Sequence, residues 1–184
     1  MIVGVVVFIA ILTSSTAFGG ESPEKDNEYV FGAKIGMIGE GTLEAGNVNI
    51  NTKNSFCLGA FGDKLIVDRL YGGIAVDFFR FKTEADEVFL MNASLLVKGE
   101  IGMANDRFLI QPAFGVGYAI MEELLFLKPL DFVTIQFFTD FVYMSPDKIG
   151  LLLSVGALWL PHCGLDDYEV TSDARLVARV GARF

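Results

Sequence analysis

The strongest constraint on the fold of this chain is an alternation of apolar and polar residues that recurs from about Tyr29 to the last residue. A period of two is the spacing at which successive side chains of a β-strand point to opposite faces of a sheet. Turn residues divide the alternation into eight segments. These segments are predicted strands at about residues 28–39, 54–62, 66–81, 88–101, 107–120, 132–144, 148–160 and 174–184. The pattern therefore predicts an all-β protein.

The two faces of the predicted strands carry different kinds of residue. In the fifth strand, Phe108, Ile110 and Phe114 alternate with small or polar residues such as Gln111 and Gly115. A soluble sandwich would bury its bulky face against a second sheet. Here the polar faces carry long ionisable side chains beside glycines, which is typical of the interior of a narrow barrel. We therefore predict an eight-stranded antiparallel up-and-down transmembrane β-barrel.

The connections between the predicted strands alternate between short and long. The short ones fall at Asp63-Lys64, at residues 104–106 and at residues 145–147. A barrel with both termini at one end places every short turn at that end and every long loop at the other, as in outer-membrane barrels. Aromatic residues are predicted to form two girdles, with Tyr29, Phe108, Tyr143 and Phe184 at the periplasmic rim and Phe78, Phe89, Tyr118 and Trp159 at the outer rim.

The first residues have the features of a secretory signal. An apolar run from Ile2 to Leu12 is followed by the small residues Thr13, Ser14, Ser15, Thr16 and Ala17. The run is too short for a membrane helix, which needs roughly 20 apolar residues. We predict a cleaved signal peptide at residues 1–20 and a barrel domain at residues 21–184.

The overall charge argues against a nucleic-acid partner. The chain has 23 Asp and Glu residues against 14 Lys and Arg residues, a formal net charge of −9. Binding to phosphates requires clustered positive charge.

The last strand resembles the C-terminal assembly signal of bacterial outer-membrane barrels, in which a terminal Phe follows apolar residues at alternate positions. Leu176, Ala178, Val180 and Phe184 match that pattern. The segment 111–118 also resembles the Pro-aromatic-Gly strand of the small barrels grouped with the membrane domain of outer-membrane protein A and with outer-membrane proteins X and W. The resemblance implies a monomer in the bacterial outer membrane, inserted by the barrel-assembly machinery and surrounded by outer-membrane lipid and lipopolysaccharide.

Charged residues predicted to face the barrel interior are the best candidate site. They are Lys34, Asp77, Lys98, Glu100, Asp140, Arg175, Arg179 and Arg183, together with Arg69. The interior of an eight-stranded barrel is barely wide enough for side chains, and unpaired buried charge is costly. One interpretation is therefore a structural plug of salt bridges. The other is a narrow polar or anion-favouring path, because bases outnumber acids in this set.

Part of the predicted interior is apolar. Its members are Phe79, Leu96, Phe138, Val142, Leu152 and Leu158. They are interpreted as packing, and the alternative is a pocket for an acyl chain or a small hydrophobic ligand.

Other residues offer weaker indications of chemistry. The acidic residues of the outer loops are interpreted as a solvated surface, although carboxylates there could share divalent cations with lipid head groups. The only His, His162, has no Ser at catalytic spacing. No enzyme, cofactor or metal site is therefore predicted. For Cys57 and Cys163, a disulfide and two free thiols both stay open.

The sequence favours a non-enzymatic outer-membrane barrel with a structural or surface-interaction role and a lumen plugged by charged side chains. The alternative is a narrow channel or carrier for a small polar, anionic or hydrophobic solute. A lipid-A-modifying enzyme is the least favoured hypothesis.

Overall fold

The computed structural model describes residues 29–45, 48–83, 87–103, 107–121, 130–146, 149–165 and 168–184. The predicted signal peptide, residues 1–20, lies outside these ranges. The described strands are β1 Tyr29–Ile38, β2 Gly41–Ala45, β3 Val48–Thr52, β4 Ser55–Val67, β5 Leu70–Lys82, β6 Glu87–Gly99, β7 Ile101–Met103, β8 Phe108–Met121, β9 Leu130–Met144, β10 Gly150–Leu165 and β11 Tyr168–Arg183. Within the described ranges, no helix is long and apolar enough to cross a membrane.

Eight long strands form a closed antiparallel barrel. Their order around the wall is β1, β4, β5, β6, β8, β9, β10 and β11, and β11 pairs back onto β1 from Gly32 opposite Arg183 to Ile38 opposite Val177. The short strand β7 follows β6 and also pairs with β8. Closure leaves the wall without an unpaired edge. The predicted fold class and strand number are confirmed.

The alternation of the sequence is the alternation between the outside and the inside of this barrel. Along β1, Phe31, Ile35 and Met37 are exposed on the outer surface, whereas Val30 and Lys34 are buried inside. All eight aromatic residues assigned to the two predicted girdles are exposed. The six apolar residues predicted to face the interior are buried. The bulky face of each strand is therefore directed away from the barrel axis.

The turn between β4 and β5 differs from the prediction. The sequence placed it at Asp63-Lys64, but β4 continues to Val67 and the turn consists of Asp68 and Arg69. Asp68 has a φ of 36°, and a tight hairpin turn needs a residue that tolerates positive φ, as Asp does better than most residues. Two consequences correct the sequence interpretation. Asp63 lies inside the barrel, and Arg69, predicted to face inward, lies exposed in the turn.

The opposite end of the barrel, here called the outer end, carries more strand structure than the sequence predicted. The connection from β1 to β4 contains β2 and β3, residues 41–45 and 48–52, which pair with each other and which we call the outer hairpin. Three residues of β2 pair with β11, including Leu43 with Ser172. Leu43 is fully buried, and Ile50 is 9% exposed. The outer hairpin therefore contributes its apolar side chains to the barrel interior.

The buried apolar residues form two clusters. The outer cluster comprises Ile38, Leu43, Ile50, Cys57, Phe79, Phe81, Val88, Leu90, Ala119, Met121, Leu158, Leu160 and Val177. The inner cluster comprises Val30, Phe61, Tyr71, Ala75, Leu96, Leu109, Ala113, Phe138, Val142 and Leu152. The buried cations Lys34, Lys98 and Arg179 lie beside Phe61 or Phe138 of the inner cluster.

Candidate functional site

The structure places all of the predicted interior charges except Arg69 inside the barrel. Seven of them are no more than 6% exposed, namely Lys34, Asp77, Lys98, Asp140, Arg175, Arg179 and Arg183. The eighth, Glu100, is half-buried just after β6. They come from strands on all sides of the barrel, so their side chains converge across the lumen.

Asp140 is the centre of the first group of ion pairs. Its carboxylate lies 2.7 Å from the Nζ atom of Lys34 and 3.9 Å from that of Lys98. The Lys98 ammonium also donates to the carboxylate of Asp63 at 2.6 Å. These four charges form a continuous chain from β1 through β9 and β6 to β4. Both lysines are therefore neutralised within the low-dielectric interior, where an unpaired ammonium would be costly.

Two further pairs complete the set. Arg179 donates to Asp77 at 2.7 Å. Arg183 lies 3.7 Å from the carboxylate of Glu100, which also accepts a hydrogen bond of 2.7 Å from the amide of Gln111. Together these pairs bridge the lumen between strands that are not neighbours in the wall.

Two aromatic rings lie beside the ammonium groups. The Nζ atom of Lys34 is 4.9 Å from the ring centroid of Phe61 and 4.5 Å from that of Phe138. The Nζ atom of Lys98 is 4.0 Å from the Phe61 centroid. Attraction between a cation and the negative face of a ring adds to the ion pairs. The rings also fill the space around the charges with apolar material.

Glycines on the inner face make room for the carboxylates. A Cβ atom at Gly59 would lie 2.1 Å from Oδ1 of Asp77, and one at Gly73 would lie 2.1 Å from Oδ1 of Asp63. Neither distance is sterically possible. The glycines at these two positions therefore make room for the carboxylates opposite them.

Asp63 is the interior charge that the sequence interpretation missed. With it, four bases, Lys34, Lys98, Arg179 and Arg183, face four acids, Asp63, Asp77, Glu100 and Asp140. We call these eight residues the central ion-pair layer. The predicted excess of bases, on which an anion-favouring path rested, is therefore absent from this layer, although with Arg175 the described interior holds five bases and four acids. The signal that could have identified Asp63 is the alternation itself, which continues from Phe61 through Asp63.

Little space is left within the layer. The cavity lined by Lys34, Asp77, Gln136 and Arg179, among others, has a volume of about 10 Å³, which is roughly the space of one water molecule. Side chains therefore fill the lumen at this level.

Arg175 lies apart from the central ion-pair layer, at the outer end. Its Nε atom donates to Ser172 Oγ at 3.0 Å, and one terminal nitrogen donates to Thr52 Oγ1 at 2.5 Å. Its guanidinium carbon is 4.6 Å from the ring centroid of Phe81. The other terminal nitrogen has no hydrogen-bond partner, and no described carboxylate lies within 4.0 Å of the guanidinium. Arg175 is therefore a buried cation whose described hydrogen-bond partners are neutral.

The Cys57–Cys163 disulfide is not present in the structure. Cys57 is a free, buried thiol, and the side chain of Cys163 lies outside the described side chains. From Cys57 the register leads through Gly36 and Arg179 to Ser154 on β10, nine residues before Cys163. Nine residues of strand span more than about 20 Å, whereas the Cα atoms of a disulfide are within about 7 Å. Cys57 and Cys163 are thus at different heights in the barrel, too far apart for a disulfide.

The residues of the predicted C-terminal assembly signal share the outer face of β11. Leu176, Ala178, Val180 and Phe184 are exposed, and Phe184 exchanges two backbone hydrogen bonds with Phe31 of β1. Their role in assembly stays a prediction.

The side chain of His162 and those of several loop acids, including Glu84, are not among the side chains that the structure describes. Among the described side chains, no group of three or more His, Cys, Asp or Glu residues is placed to hold a metal ion.

Comparison with solved structures supports the fold. Neisserial surface protein A is 12% identical, with a TM-score of 0.57 over 84% of this chain and 94% of that chain. The outer membrane protein OprG from Pseudomonas aeruginosa is also 12% identical, with a TM-score of 0.56 over 86% of this chain and 97% of that chain. The chain has the fold of the small eight-stranded outer-membrane β-barrels. The predicted resemblance to this group is confirmed. No protein-family model and no curated protein sequence matches the chain.

Proposed function

We propose that this chain is a non-enzymatic integral protein of the bacterial outer membrane, with a closed lumen and a structural or surface-interaction role. The observation that carries the proposal is the central ion-pair layer, in which four bases and four acids meet across the lumen. An outer surface of exposed Leu, Ile, Val and Phe side chains suits a lipid environment.

The geometry favours a plug over a channel. A solute would have to pass through a layer whose cavity holds about 10 Å³. Making room would separate pairs such as Lys34–Asp140 and Arg179–Asp77, which lie at 2.7 Å in a buried environment. Removing one partner of a buried pair costs about 3–5 kcal/mol. Such a barrier supports a lumen that stays closed at rest.

The outer end supports a surface role. The outer hairpin and the extensions of β10 and β11 beyond the predicted strands build a folded outer surface there. Exposed acids, including Glu40, Glu44 and Asp173, give this surface negative charge. One structural neighbour is itself named a surface protein. We propose that lipopolysaccharide and outer-membrane lipid surround the barrel, and that the barrel-assembly machinery inserts it through the β11 face that ends at Phe184.

Conductance in planar lipid bilayers tests the closed lumen. The refolded wild-type barrel is expected to give no reproducible current steps. The double variant Lys34→Ala with Asp140→Ala, which removes the shortest ion pair around Asp140, is expected to give steps if it stays folded. Lys64→Ala is the matched control, because Lys64 is exposed on the outer face. Regular steps from the wild-type barrel that this double variant alters would refute the plug and favour the channel alternative.

Labelling of intact cells tests the location and the surface role. A cysteine introduced at Asn51, exposed on the outer hairpin, is expected to react with a membrane-impermeant maleimide added outside the cells. A cysteine at Asp68, in the turn at the other end, is the matched control and is expected to react only after the outer membrane is permeabilised. The opposite labelling pattern would reject the proposed orientation. Unchanged lipid A in mass spectra of cells with and without the protein is the expected result for a protein that is no enzyme of lipid A.

A further inference from the structure

The barrel buries five bases, and one of them stands out by its partners. Lys34, Lys98, Arg179 and Arg183 each have a carboxylate within 4.0 Å, whereas among the described side chains Arg175 contacts hydroxyl groups and a ring. Arg175 is 1% exposed and retains one terminal nitrogen without an acceptor. The carboxylate of Asp173, exposed on β11, attracts the guanidinium only from more than 4.0 Å away. A buried cation without a close counter-charge is costly, so an anion placed at the free terminal nitrogen would be bound strongly.

The surroundings of Arg175 are apolar on one side. Phe81 of the outer cluster lies against the guanidinium, and Phe79, Leu90, Met121 and Leu160 belong to the same cluster. A site lined mainly by apolar side chains with one fixed polar group is the usual composition of a pocket for an amphiphilic small molecule. The chemistry of the outer end therefore fits a ligand with one negative charge and an apolar tail.

The outer hairpin now occupies this space. Its Leu43 and Ile50 pack in the outer cluster, and its Thr52 accepts a hydrogen bond from Arg175. The hairpin backbone covers the guanidinium closely, because a Cβ atom at Gly41 would lie 3.2 Å from the Nε atom of Arg175. The hairpin thus fills the apolar space with two side chains and contacts the cation with one hydroxyl.

The outer hairpin is attached less firmly than the barrel strands. It joins the wall through three residue pairs with β11, whereas neighbouring barrel strands such as β5 and β6 share thirteen. Segments with few cooperative contacts open at a small fraction of the global unfolding free energy. The hairpin can therefore lift while the barrel stays closed below it.

We propose that Arg175, the outer cluster and the outer hairpin form a lidded binding site for a single-chain amphiphile with one anionic head group, of the fatty-acid class. The carboxylate binds the free terminal nitrogen of Arg175 and displaces Thr52, and the acyl tail replaces Leu43 and Ile50 against the outer cluster. The site lies on the outer side of the central ion-pair layer, so ligand binding requires no open path through the barrel.

Photo-crosslinking in phosphatidylcholine nanodiscs tests the proposal with the full barrel. The probe is a dodecanoate that carries a diazirine in its tail, and mass spectrometry locates the labelled peptides. Labelling of peptides that contain residues 41–52 or 79–90 is expected, with competition by unlabelled dodecanoate but not by dodecanol. Competition by dodecanol as strong as by dodecanoate, or labelling confined to the outward-facing surface, would overturn the proposal.

Arg175→Met tests the anchor. Loss of a charge-assisted hydrogen bond is expected to weaken dodecanoate binding roughly tenfold or more. Arg80→Met is the matched control, because Arg80 is an exposed arginine of β5 that pairs with Glu87 outside the barrel, and it is expected to bind as the wild type does. Equal binding by Arg175→Met and the wild type would contradict the proposed anchor.

Thr52→Val keeps the proposal testable if Arg175→Met does not fold. This nearly isosteric change removes the hydroxyl that Arg175 contacts in the closed state. Because the head group then has no competitor, dodecanoate is expected to bind severalfold more tightly. Unchanged or weaker binding would show that Thr52 does not compete with the ligand and would reject the lidded site.

Discussion

Two arginines on the inner face of β11 show how differently the two halves of the barrel treat the same side chain. Arg179 and Arg175 are four residues apart and are 5% and 1% exposed. Across the lumen, β5 presents Asp77 to Arg179 and, four residues further along, Phe81 to Arg175. The first arginine is fixed in a salt bridge and the second is held by hydroxyls and an aromatic ring. The residue that β5 presents to each arginine, Asp77 or Phe81, and not the depth of burial, distinguishes the two cations.

The central ion-pair layer and the outer end of the barrel differ in which segments supply the partners of their cations. The charges of the central ion-pair layer are neutralised entirely by side chains of barrel strands and of the residue that follows β6. The contacts of Arg175 include Thr52 of the outer hairpin, which pairs with the wall through three residues of β2. We expect substitutions in the layer to change the global unfolding free energy, and substitutions at the outer end to change local opening.

The largest effect is expected from Asp140→Ala. This change leaves the ammonium of Lys34 without its partner and removes one of the two carboxylates near Lys98. Breaking a buried pair costs about 3–5 kcal/mol of unfolding free energy, measured by urea unfolding of the barrel in lipid vesicles. Asp173→Ala, at an exposed position of β11, is expected to cost less than about 1 kcal/mol. Similar losses of unfolding free energy for the two variants would show that the central ion-pair layer contributes no more to stability than an exposed acid does.

A smaller global effect is expected from Gly59→Ala. Its new Cβ atom would meet Oδ1 of Asp77 at 2.1 Å and force the Arg179–Asp77 pair to move. Overpacking of this kind costs about 1–3 kcal/mol. Gly39→Ala is the matched control, because the nearest atom to its Cβ would be 3.4 Å away, an ordinary contact. Urea unfolding should give a lower unfolding free energy for Gly59→Ala than for Gly39→Ala. The reverse order would argue against close packing of the central ion-pair layer.

The sequence predicted the barrel well because one periodicity determines both the strands and their faces. A slip of one residue would bring every bulky side chain inside, so the faces of β1, β8 and β11 could be assigned from the alternation alone. Closure of β11 onto β1 then follows from an even number of antiparallel strands. The ion pairs could be predicted as a class, because charges that converge in a narrow lumen must be neutralised.

The errors of the sequence interpretation arose where two local signals competed. Asp63-Lys64 has the polarity of a turn, but Asp63 is retained inside by Lys98, and Asp68 provides the positive φ that the turn needs. The outer hairpin was missed because its strands have only five residues each and because one of them, β2, pairs with β11, which is distant in sequence. The special position of Arg175 depends on that same contact, since Thr52 comes from β3.

A local effect at the outer end is expected from Leu43→Ala. Leu43 is fully buried in the outer cluster, and shortening it removes about 2 kcal/mol or more of packing. Because we propose that the outer hairpin opens independently of the wall, amide hydrogen exchange in β2 and β3 is expected to be roughly thirtyfold faster, with little change in β8 or β9. Glu44→Ala, exposed on the same strand, is expected to leave the exchange nearly unchanged. Equal acceleration throughout the barrel would mean that hairpin and wall form one cooperative unit.

The smallest effect is expected from the double variant Arg80→Ala with Glu87→Ala. These residues form an ion pair between β5 and β6, as the buried pairs do between other strands, but their side chains are 47% and 36% exposed. Solvent screens the pair, so its loss should change the unfolding free energy by less than about 1 kcal/mol, and 1 M salt should remove most of that difference. Urea unfolding at low and high salt, with Asp140→Ala measured in parallel, gives the comparison. Asp140→Ala should lose the same unfolding free energy in high salt as in low salt, because ions do not reach the buried Asp140. A salt-sensitive loss at Asp140 would indicate that water and ions enter the lumen, and it would replace the plug with an open path.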